Sequence, residues 1–324
     1  MLCDFQAGSN TVVMFDIDEN NPAKLKMVGG PVSSEGEFPT SVAFSAAKNM
    51  VCVVNGGATN GVQCFKPDEK LGLVALPKTN RPLNLPQTTP PKGPPGSVSD
   101  ILFSEDSKKL LVSVKGVPPT PGFVASWDVA DDGTLSANFT SSPPAKGGLL
   151  PFSMTIVPGK NAVLATDAGI GFSTFDLSTL GGAGTARSQV FPIAGQGATC
   201  WSSFSPRTKS FFLTDIRTDI VTEVAVADDL SGKIVKQYPL VPGSATIDNA
   251  IAPLANNDFL YILSSNATSI DVLALNGQGQ AAKLQTVDFG KQKGVKANPN
   301  RLQGMAVFVK SGTAKAKRLV RERD

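Results

Sequence analysis

Short apolar runs separated by turn residues recur along the whole chain. The segment SVAFSAAKNMVCVVNGGATNGVQCFKPD, residues 41–68, reads as three strands joined by short turns. The same order returns in segments aligned on Asp100, Ser153, Trp201 and Asn249. Runs of this length that are rich in Val, Ile and Phe are typical of buried strands, and no long helical period interrupts them. The pattern therefore predicts an all-β protein.

The repeat has the length of a β-propeller blade. Its copies are spaced 48 to 59 residues apart, and a period in this range with three or four strands per copy is the signature of propeller blades. One blade cannot bury both faces of its sheet, so neighbouring blades must stack around an axis. Counted literally, the chain carries about six blades, which begin near residues 39, 98, 151, 199 and 247, with one more divided between the two ends.

The two ends of the chain complement each other. Residues 1–30 match the repeat from its second strand onward, and LQGMAVFV, residues 302–309, matches only its first strand. We therefore expect residues 302–309 to complete the first blade and close the ring, which makes 1–309 a single propeller domain. Residues 310–324 hold six Lys or Arg against two acids and are predicted to be a disordered basic tail.

One long segment departs from the repeat. It is LPKTNRPLNLPQTTPPKGPPGS, residues 76–97. Repeated prolines forbid an interior strand there and favour an extended surface loop. The segment is either an ordered excursion across one face of the propeller or a loose insertion without a role.

Composition excludes several kinds of chemistry. The 324 residues include no histidine, which excludes Ser-His-Asp and Cys-His catalysis and removes the commonest zinc ligand. No apolar stretch is long enough to span a membrane, and the first residues lack the regions of a signal peptide. The net charge is +3, but the tail accounts for the excess and leaves about −1 on the propeller, so no nucleic-acid partner is expected. We expect a monomer without a cofactor.

Two features of the sequence bear on the cellular compartment. Cys52 and Cys64 occupy mirrored positions of a predicted hairpin, where opposed residues come within disulfide range. A disulfide and two free thiols both remain open. Asn138-Phe139-Thr140 and Asn266-Ala267-Thr268 are N-glycosylation acceptors that only a secreted form would use.

Several segments resemble a known group of proteins. VSSEGEFPTSVAFS, VCVVNGGATNGVQCF, FSEDSKKLLVSVKGVPPTPGFVASWDV and LQGMAVFV are similar to fungal proteins labelled 3-carboxymuconate cyclase-like. That group belongs to the propeller superfamily that also includes 6-phosphogluconolactonases. The resemblance covers residues 1–309. It implies a seven-bladed ring, an extracellular location, and a chain that lacks a first exported portion with about one blade.

Polar side chains recur at the predicted mouth of the propeller channel. The residues predicted where first strands enter the channel are Ser41, Asp100, Ser153, Trp201, Asn249 and Gln303. Those predicted at the ends of second strands are Asn55, Lys115, Asp167, Asp215 and Asn266. Such a ring could bind a small carboxylate, a lactone or a sugar, hold only water, or support catalysis. Trp201 would stack on a planar ligand or pack in the core.

The resemblance also implies cationic groups that hold a carboxylate substrate, and a proton donor or acceptor. Arg217, Arg301 and Lys115 are the candidate anion-binding residues, because guanidinium binds carboxylate through two parallel hydrogen bonds. Asp167 and Asp215 are the candidate acid/base pair, and Arg217 is the cation beside them. The alternative is that both aspartates are turn residues that bond their own backbone.

Two functions are therefore open. The first is a fungal propeller of secreted type with a vestigial or non-catalytic site, which serves as a binding or interaction module. The second is a lactone-forming or lactone-hydrolysing enzyme, a cycloisomerase or a hydrolase that works without histidine. No metal site is expected, because the cysteines form no CxxC pair and the ligand spacing of a calcium loop is missing.

Overall fold

The all-β class is confirmed. The computed structural model describes residues 2–180, 184–292, 294 and 296–310. These residues form strands and turns, with single turns of 3-10 helix at Leu177–Thr179 and Pro299–Arg301. Neither helix is long and apolar enough to cross a membrane. Of the predicted basic tail, 310–324, all but Lys310 lies outside the described residues.

The strands form six antiparallel sheets. Sheet 1 consists of β1 (Leu2–Gln6), β2 (Thr11–Ile17) and β3 (Leu25–Ser33). Sheet 2 consists of β4 (Pro39–Ser45), β5 (Met50–Asn55), β6 (Gly61–Asp68), β7 (Gly72–Ala75) and β8 (Arg81–Pro82). Sheet 3 consists of β9 (Val98–Phe103), β10 (Lys109–Val114), β11 (Phe123–Asp128) and β12 (Thr140–Ser142). Sheet 4 consists of β13 (Pro151–Val157), β14 (Ala162–Asp167), β15 (Gly171–Asp176) and β16 (Arg187–Pro192). Sheet 5 consists of β17 (Thr199–Ser205), β18 (Ser210–Asp215), β19 (Ile220–Val226) and β20 (Gly232–Pro239). Sheet 6 consists of β21 (Thr246–Leu254), β22 (Asn257–Ser264), β23 (Ser269–Leu275) and β24 (Ala281–Asp288).

The sheets are arranged as propeller blades around a central axis. Within each sheet, every strand pairs with the next one along the chain, except that β8 pairs with β6. The first strands β4, β9, β13, β17 and β21 contact one another in that order, so they are innermost. The last strands β20 and β24 are mostly exposed and lie outermost. Each first strand therefore enters the channel at one face, called here the entry face.

Apolar layers between neighbouring sheets hold the blades together. In β10, Leu110 and Val112 belong to the layer against sheet 2, whereas Leu111 belongs to the layer against sheet 4. This alternation is expected, because successive side chains of a strand point to opposite faces. It explains why the second strands read as continuous apolar runs: both of their faces are buried.

A β-bulge interrupts every first strand of sheets 2 to 6 near the entry face. In sheet 2, for example, Pro39 pairs with Asn55 and Ser41 with Val54, so β4 holds one extra residue. The same irregularity occurs in β9, β13, β17 and β21. A bulge bends the strand and re-aims the side chains beside it. The channel side chains therefore do not follow a strict two-residue period.

The proline-rich segment 76–97 is an ordered excursion rather than a loose insertion. Arg81 donates hydrogen bonds from its guanidinium to the carbonyl oxygens of Leu135 and Ser136, each at 2.7 Å. Further along, the side chain of Asn60 bonds both the N–H and the C=O of Leu85. The first bonds hold the start of the segment against the β11–β12 connection of sheet 3, and the second hold Leu85 at the β5–β6 turn, on the entry face.

Residues 302–310 lie beside sheet 6 and form no strand. The N–H of Met305 donates to the carboxylate of Asp248 at 2.7 Å. In sheet 1, the described pairing partner of β1 is β2. Completion of the first blade by residues 302–309 stays a prediction.

Candidate functional site

Asp100 links three neighbouring sheets at the channel. Its Oδ1 accepts hydrogen bonds from Ser41 Oγ at 3.0 Å and from the N–H of Ile101 at 2.8 Å. Its Oδ2 accepts from the N–H of Met154 at 2.8 Å. Ser41 lies in sheet 2, Asp100 in sheet 3 and Met154 in sheet 4, so one buried carboxylate ties their first strands together.

Asp248 makes the equivalent bonds in sheet 6. Its Oδ1 accepts from the N–H of Asn249 at 2.6 Å, and its Oδ2 accepts from the N–H of Met305 at 2.7 Å. These two bonds match those of Asp100 with the next residue and with Met154. Asp248 is therefore the counterpart of Asp100, and residues 302–310 take the place of the first strand that would follow sheet 6.

This equivalence corrects the alignment of the repeats. The repeat predicts Asn249 and Gln303 at the entry position, but the ladder pairs place Asp248 there, and the Met305 bond places Gly304 there. The register is wrong by one residue in both cases. Sequence reasoning missed Asp248 because the first hairpin of sheet 6 is longer than the others: β21 has nine residues and β22 eight, against seven and six for β4 and β5.

A similar correction applies to the ends of the second strands. Asn55, Asp167 and Asp215 occupy equivalent positions, each paired with the residue that begins its first strand. The matching residues in sheets 3 and 6 are Val114 and Ser264. Lys115 and Asn266, which the repeat predicts there, lie beyond these strand ends.

Burial raises the pKa of both channel carboxyl groups. The pKa of Asp100 is raised to about 6 and that of Asp248 to about 7, because burial disfavours the charged form. The charge of Asp100 raises the pKa of Asp248 further. Their hydrogen bonds act in the opposite direction, so each carboxylate is kept partly ionised near neutral pH.

The remaining predicted entry residues also bond between sheets. Ser153 Oγ lies 2.9 Å from Ser202 Oγ of the next sheet. Asn249 accepts a hydrogen bond from Ser203 and donates from Nδ2 to the carbonyl of Trp201 at 3.2 Å. The indole of Trp201 stands edge-on to Phe152, with ring centres 6.3 Å apart. Ser41, Asp100, Ser153 and Asn249 therefore hold the inner strands together.

A cavity of about 600 Å³ occupies the channel below these residues. Its inner end contains Ser41, Asp100 and Trp201, and its mouth lies at the turns that follow the first strands of sheets 2 and 3. Phe44 lines this mouth and is 47% exposed. The cavity opens on the face opposite the predicted ligand site.

Lys115 is the buried cation of the entry face. Its Nζ donates to the carbonyl of Val98 at 3.0 Å and to Ser99 Oγ, and it lies 4.5 Å from the centre of the Phe152 ring. Among the ion pairs of the described residues, none involves Lys115. Burial lowers its pKa to about 8. At pH 7 it is therefore mostly a charged ammonium without a paired carboxylate.

Cys200 lies in the same part of the channel as Lys115 and Asp248. Burial raises the pKa of its thiol to about 12, with a further rise from Asp248 and an opposing effect of Lys115. The sulfur is thus an uncharged thiol at physiological pH and a poor nucleophile. Lys115 is therefore the cation of this grouping.

Asp167 and Asp215 cap loops of the entry face. Asp167 accepts from the N–H groups of Leu149, Leu150 and Gly169 at 2.7 to 2.9 Å. Asp215 accepts from four backbone N–H groups, which belong to Gly197, Ala198, Arg217 and Thr218. Both oxygens of each carboxylate are occupied. This geometry is that of the turn-residue alternative and differs from an acid/base pair with free oxygen atoms.

Neither candidate arginine converges on these carboxylates through its side chain. Arg217 and Arg301 are both exposed. The Arg217 side chain covers Gly197, where an added Cβ would lie 2.6 Å from the Arg217 Cβ. The ion pairs of the described residues include neither arginine. The structure therefore does not assemble Asp167, Asp215 and Arg217 as one catalytic group.

A second cavity, of about 440 Å³, lies at the entry face beneath the proline-rich segment. Leu85, Pro95 and Gly96 line one side, and Lys115 and Phe123 belong to the other. A lining that combines apolar side chains with a few polar groups is usual for small-ligand sites. No cluster of three metal-ligating side chains occurs in the described part of the chain.

Cys52 and Cys64 form a disulfide bond within sheet 2, with their Cα atoms 4.0 Å apart. They are directly opposed in the pairing of β5 with β6, and both side chains are fully buried. Cys3 and Cys200 are free thiols.

Comparison with known proteins identifies the fold. A candidate 6-phosphogluconolactonase from Bacteroides uniformis superposes with a TM-score of 0.65 at 16% identity, covering 86% of this chain and 79% of that one. A functionally unknown protein from Desulfotomaculum acetoxidans gives 0.66 at 11% identity, covering 93% and 83%. The Cps50 (Swd1) β-propeller domain of Myceliophteria thermophila gives 0.55 at 9%, covering 89% and 86%. No protein-family model matches the chain, and no curated protein sequence matches it. The chain is a β-propeller whose neighbours include lactonase-type propellers.

Proposed function

We propose that this propeller is a binding module for a small carboxylate or lactone, which it takes at the entry face beside Lys115. The observation that carries the proposal is the buried Lys115 ammonium, which has no paired carboxylate in the described structure. A buried charge is costly unless an opposite charge compensates it. An anionic ligand would supply that charge.

The surroundings of Lys115 support a ligand of this size and character. The neighbouring cavity of about 440 Å³ suits a small organic molecule. The ammonium donates two hydrogen bonds to the protein, so a ligand would be held mainly by charge and by apolar contact. The lactonase-like fold of the neighbours and the resemblance to fungal 3-carboxymuconate cyclase-like proteins favour the same ligand class.

The proposal includes an extracellular location. The buried disulfide of sheet 2 supports it, because disulfides persist in oxidising compartments and are rare in the cytosol.

Ligand-induced thermal stabilisation tests the proposal. A panel of muconates, sugar lactones, phosphosugars and neutral oligosaccharides is added to the purified protein, and a ligand at 100 times its Kd adds about 2.7 kcal/mol to the stability. A carboxylate or lactone should raise the Tm by several degrees, and Lys115→Met should remove the rise. Lys160→Met is the matched control, because Lys160 forms an ion pair with the exposed Asp228 at the surface. A rise of equal size in Lys115→Met would refute the proposal.

A second candidate function is lactone formation or hydrolysis at the same site. The favouring observation is the buried Lys115 ammonium, whose pKa of about 8 lies near the range in which acid/base groups work. Titration of released acid at constant pH, with each lactone that stabilises the protein, tests this activity. A ligand that stabilises the protein but is not turned over would support binding and contradict the enzymatic function.

A further inference from the structure

Two segments of the chain carry the same acceptor motif for N-linked glycans. They are Asn138-Phe139-Thr140 and Asn266-Ala267-Thr268. Asn138 and Asn266 are both exposed. Exposure therefore does not distinguish them, but the backbone and the hydroxyl group of each motif do.

The Asn138 motif leads into the outermost strand of sheet 3, with Asn138 at a bend and Thr140 as the first residue of β12. Phe139 packs inward, with its ring centre 5.2 Å from that of Trp127 and 6.0 Å from that of Phe123. Asn138 and Thr140 flank Phe139 in the chain. Both are exposed. Among the described residues, the side-chain amide of Asn138 has no hydrogen-bond partner. Ser136 Oγ donates a hydrogen bond to the backbone carbonyl of Asn138 at 2.9 Å.

The Asn266 motif is a closed turn between β22 and β23. The N–H groups of Asn266 and Ala267 both donate to the carbonyl of Ser244, and the N–H of Thr268 donates to Ser265. The amide Nδ2 of Asn266, which is the atom that would carry a glycan, donates to the carbonyl of Gly243 at 3.4 Å. The acceptor nitrogen is therefore engaged.

The hydroxyl of the second motif is also enclosed. Thr268 has a φ of 47°, in the left-handed region, and is half-buried. Its Oγ1 lies so close to Gly290 that a Cβ added there would be 2.0 Å away. The carbonyl of Thr268 accepts hydrogen bonds from Phe289 and Gly290. The asparagine and the threonine of this motif thus cannot be presented together in an extended form without opening the turn.

We propose that Asn138 is an N-glycosylation site of this protein and that Asn266 is left unmodified. In the transfer, Asn138 Nδ2 forms a bond to C1 of an oligosaccharide carried on a lipid diphosphate. The C1–O bond to the diphosphate breaks, the lipid diphosphate leaves with the electron pair, and Nδ2 loses one proton. The proposal requires passage through a secretory compartment and does not depend on the ligand site at Lys115.

The location gives the modification a physical role. β12 is an outer edge strand of only three residues. Edge strands expose unpaired backbone groups that invite pairing with another chain. A glycan two residues before Thr140 projects beside this edge and would block such pairing.

The test is site-specific occupancy in the secreted full chain. The chain is fused to a secretion signal, produced in yeast, and analysed by peptide mass spectrometry before and after removal of N-glycans. Formation of the Cys52–Cys64 disulfide in the product verifies that it folded. We expect a glycan on Asn138 in nearly all molecules and none on Asn266.

Four variants separate the two motifs. Asn138→Gln and Thr140→Ala should each remove the glycan, and Thr140→Ser should retain it. Asn266→Gln should leave the glycan mass unchanged. Secreted, disulfide-bonded protein with a glycan on Asn266, or with an unmodified Asn138, would overturn the proposal.

Discussion

Two aspartates of the inner strands take part in both the stability and the electrostatics of the channel. Asp100 and Asp248 each accept a backbone N–H from the neighbouring first-strand segment, at 2.8 and 2.7 Å. Hydrogen bonds to charged groups contribute about 1.5–3 kcal/mol each. Burial of the carboxylate opposes this gain, and the raised pKa values record the balance.

The sign of the pH dependence follows from the raised pKa of Asp248. The folded protein holds a proton on this group up to about pH 7, whereas the unfolded chain releases it near 3.8. Between these values the native state binds more protons, so the free energy of unfolding falls as the pH rises. The raised pKa of Asp100 lowers the free energy of unfolding in the same way as the pH rises to about 6.

Asp248→Asn should reduce this pH dependence. The neutral amide can still accept the Met305 N–H, and we expect the variant to lose about 2 kcal/mol less stability than the wild type between pH 5 and pH 8. Urea denaturation at the two pH values measures the difference. Asp258→Asn is a control, since its partners Ser205 and Arg207 lie away from the Asp248 site. An unchanged pH slope in Asp248→Asn would contradict the assignment.

At the scale of the element, hydroxyl groups repair the bulges of the first strands. In sheet 4, Thr166 Oγ1 accepts from the N–H of Ser153, which the bulge leaves without a ladder partner, and donates to the carbonyl of Cys200 in sheet 5. Ser113 of sheet 3 bonds the N–H of Asp100 and the carbonyl of Phe152 in the same way. Each hydroxyl thus satisfies two buried backbone groups in two blades.

Thr166→Val should therefore destabilise the protein, although the valine and threonine side chains have nearly the same shape. It leaves a buried N–H and a buried C=O unpaired, which we expect to cost about 1–3 kcal/mol. Thr166→Ser keeps the hydroxyl and should recover most of that loss. Chemical denaturation of the three proteins measures both effects. Equal stability of the valine and serine variants would mean that the hydroxyl bonds contribute nothing.

The strands also show which features could be predicted from the sequence and which could not. The strands were predictable because the inner and middle strands are apolar runs bounded by turns. The register of sheet 6 was not, because its β21–β22 hairpin is longer than the hairpin of β4 and β5, with strands of nine and eight residues against seven and six, and so Asn249 was aligned where Asp248 stands. The capping of loops by Asp167 and Asp215 was anticipated as an alternative, whereas the burial of Lys115 among Val98, Ser99 and Phe152 depends on contacts across sheets.

On the scale of the whole molecule, residues 302–310 continue the arrangement of the inner strands. Met305 bonds Asp248 as Met154 bonds Asp100. Val307, Phe308 and Val309 nevertheless remain between 36% and 41% exposed. The repeat predicts that residues 302–309 complete the first blade, and this stays a prediction, since the spatial relation of the segment to β1 depends on how many blades the ring contains.

Met305→Pro should loosen the last connection of the ring. Proline has no N–H to donate, so Asp248 loses one bond to its charged form, and its pKa should rise further. We expect a loss of about 1.5–3 kcal/mol in stability. Met305→Leu keeps the N–H and serves as the control. Thermal unfolding measures the loss and carboxyl NMR titration the pKa; a proline variant identical to the control in both would rule out the bond.

The hydroxyl bridges also make the resistance of the molecule to pulling uneven along the chain. Ser113 holds the following blade through Phe152, and Thr166 holds the following blade through Cys200, whereas Val54 and Leu263 stand at the equivalent places in sheets 2 and 6. When force is applied to the two ends, the flanking blades are held by side-chain bonds such as Ser41 to Asp100 and Asn249 to Trp201, but they lack these hydroxyl bridges. The chain would yield from its termini inward, and the three middle blades would part last.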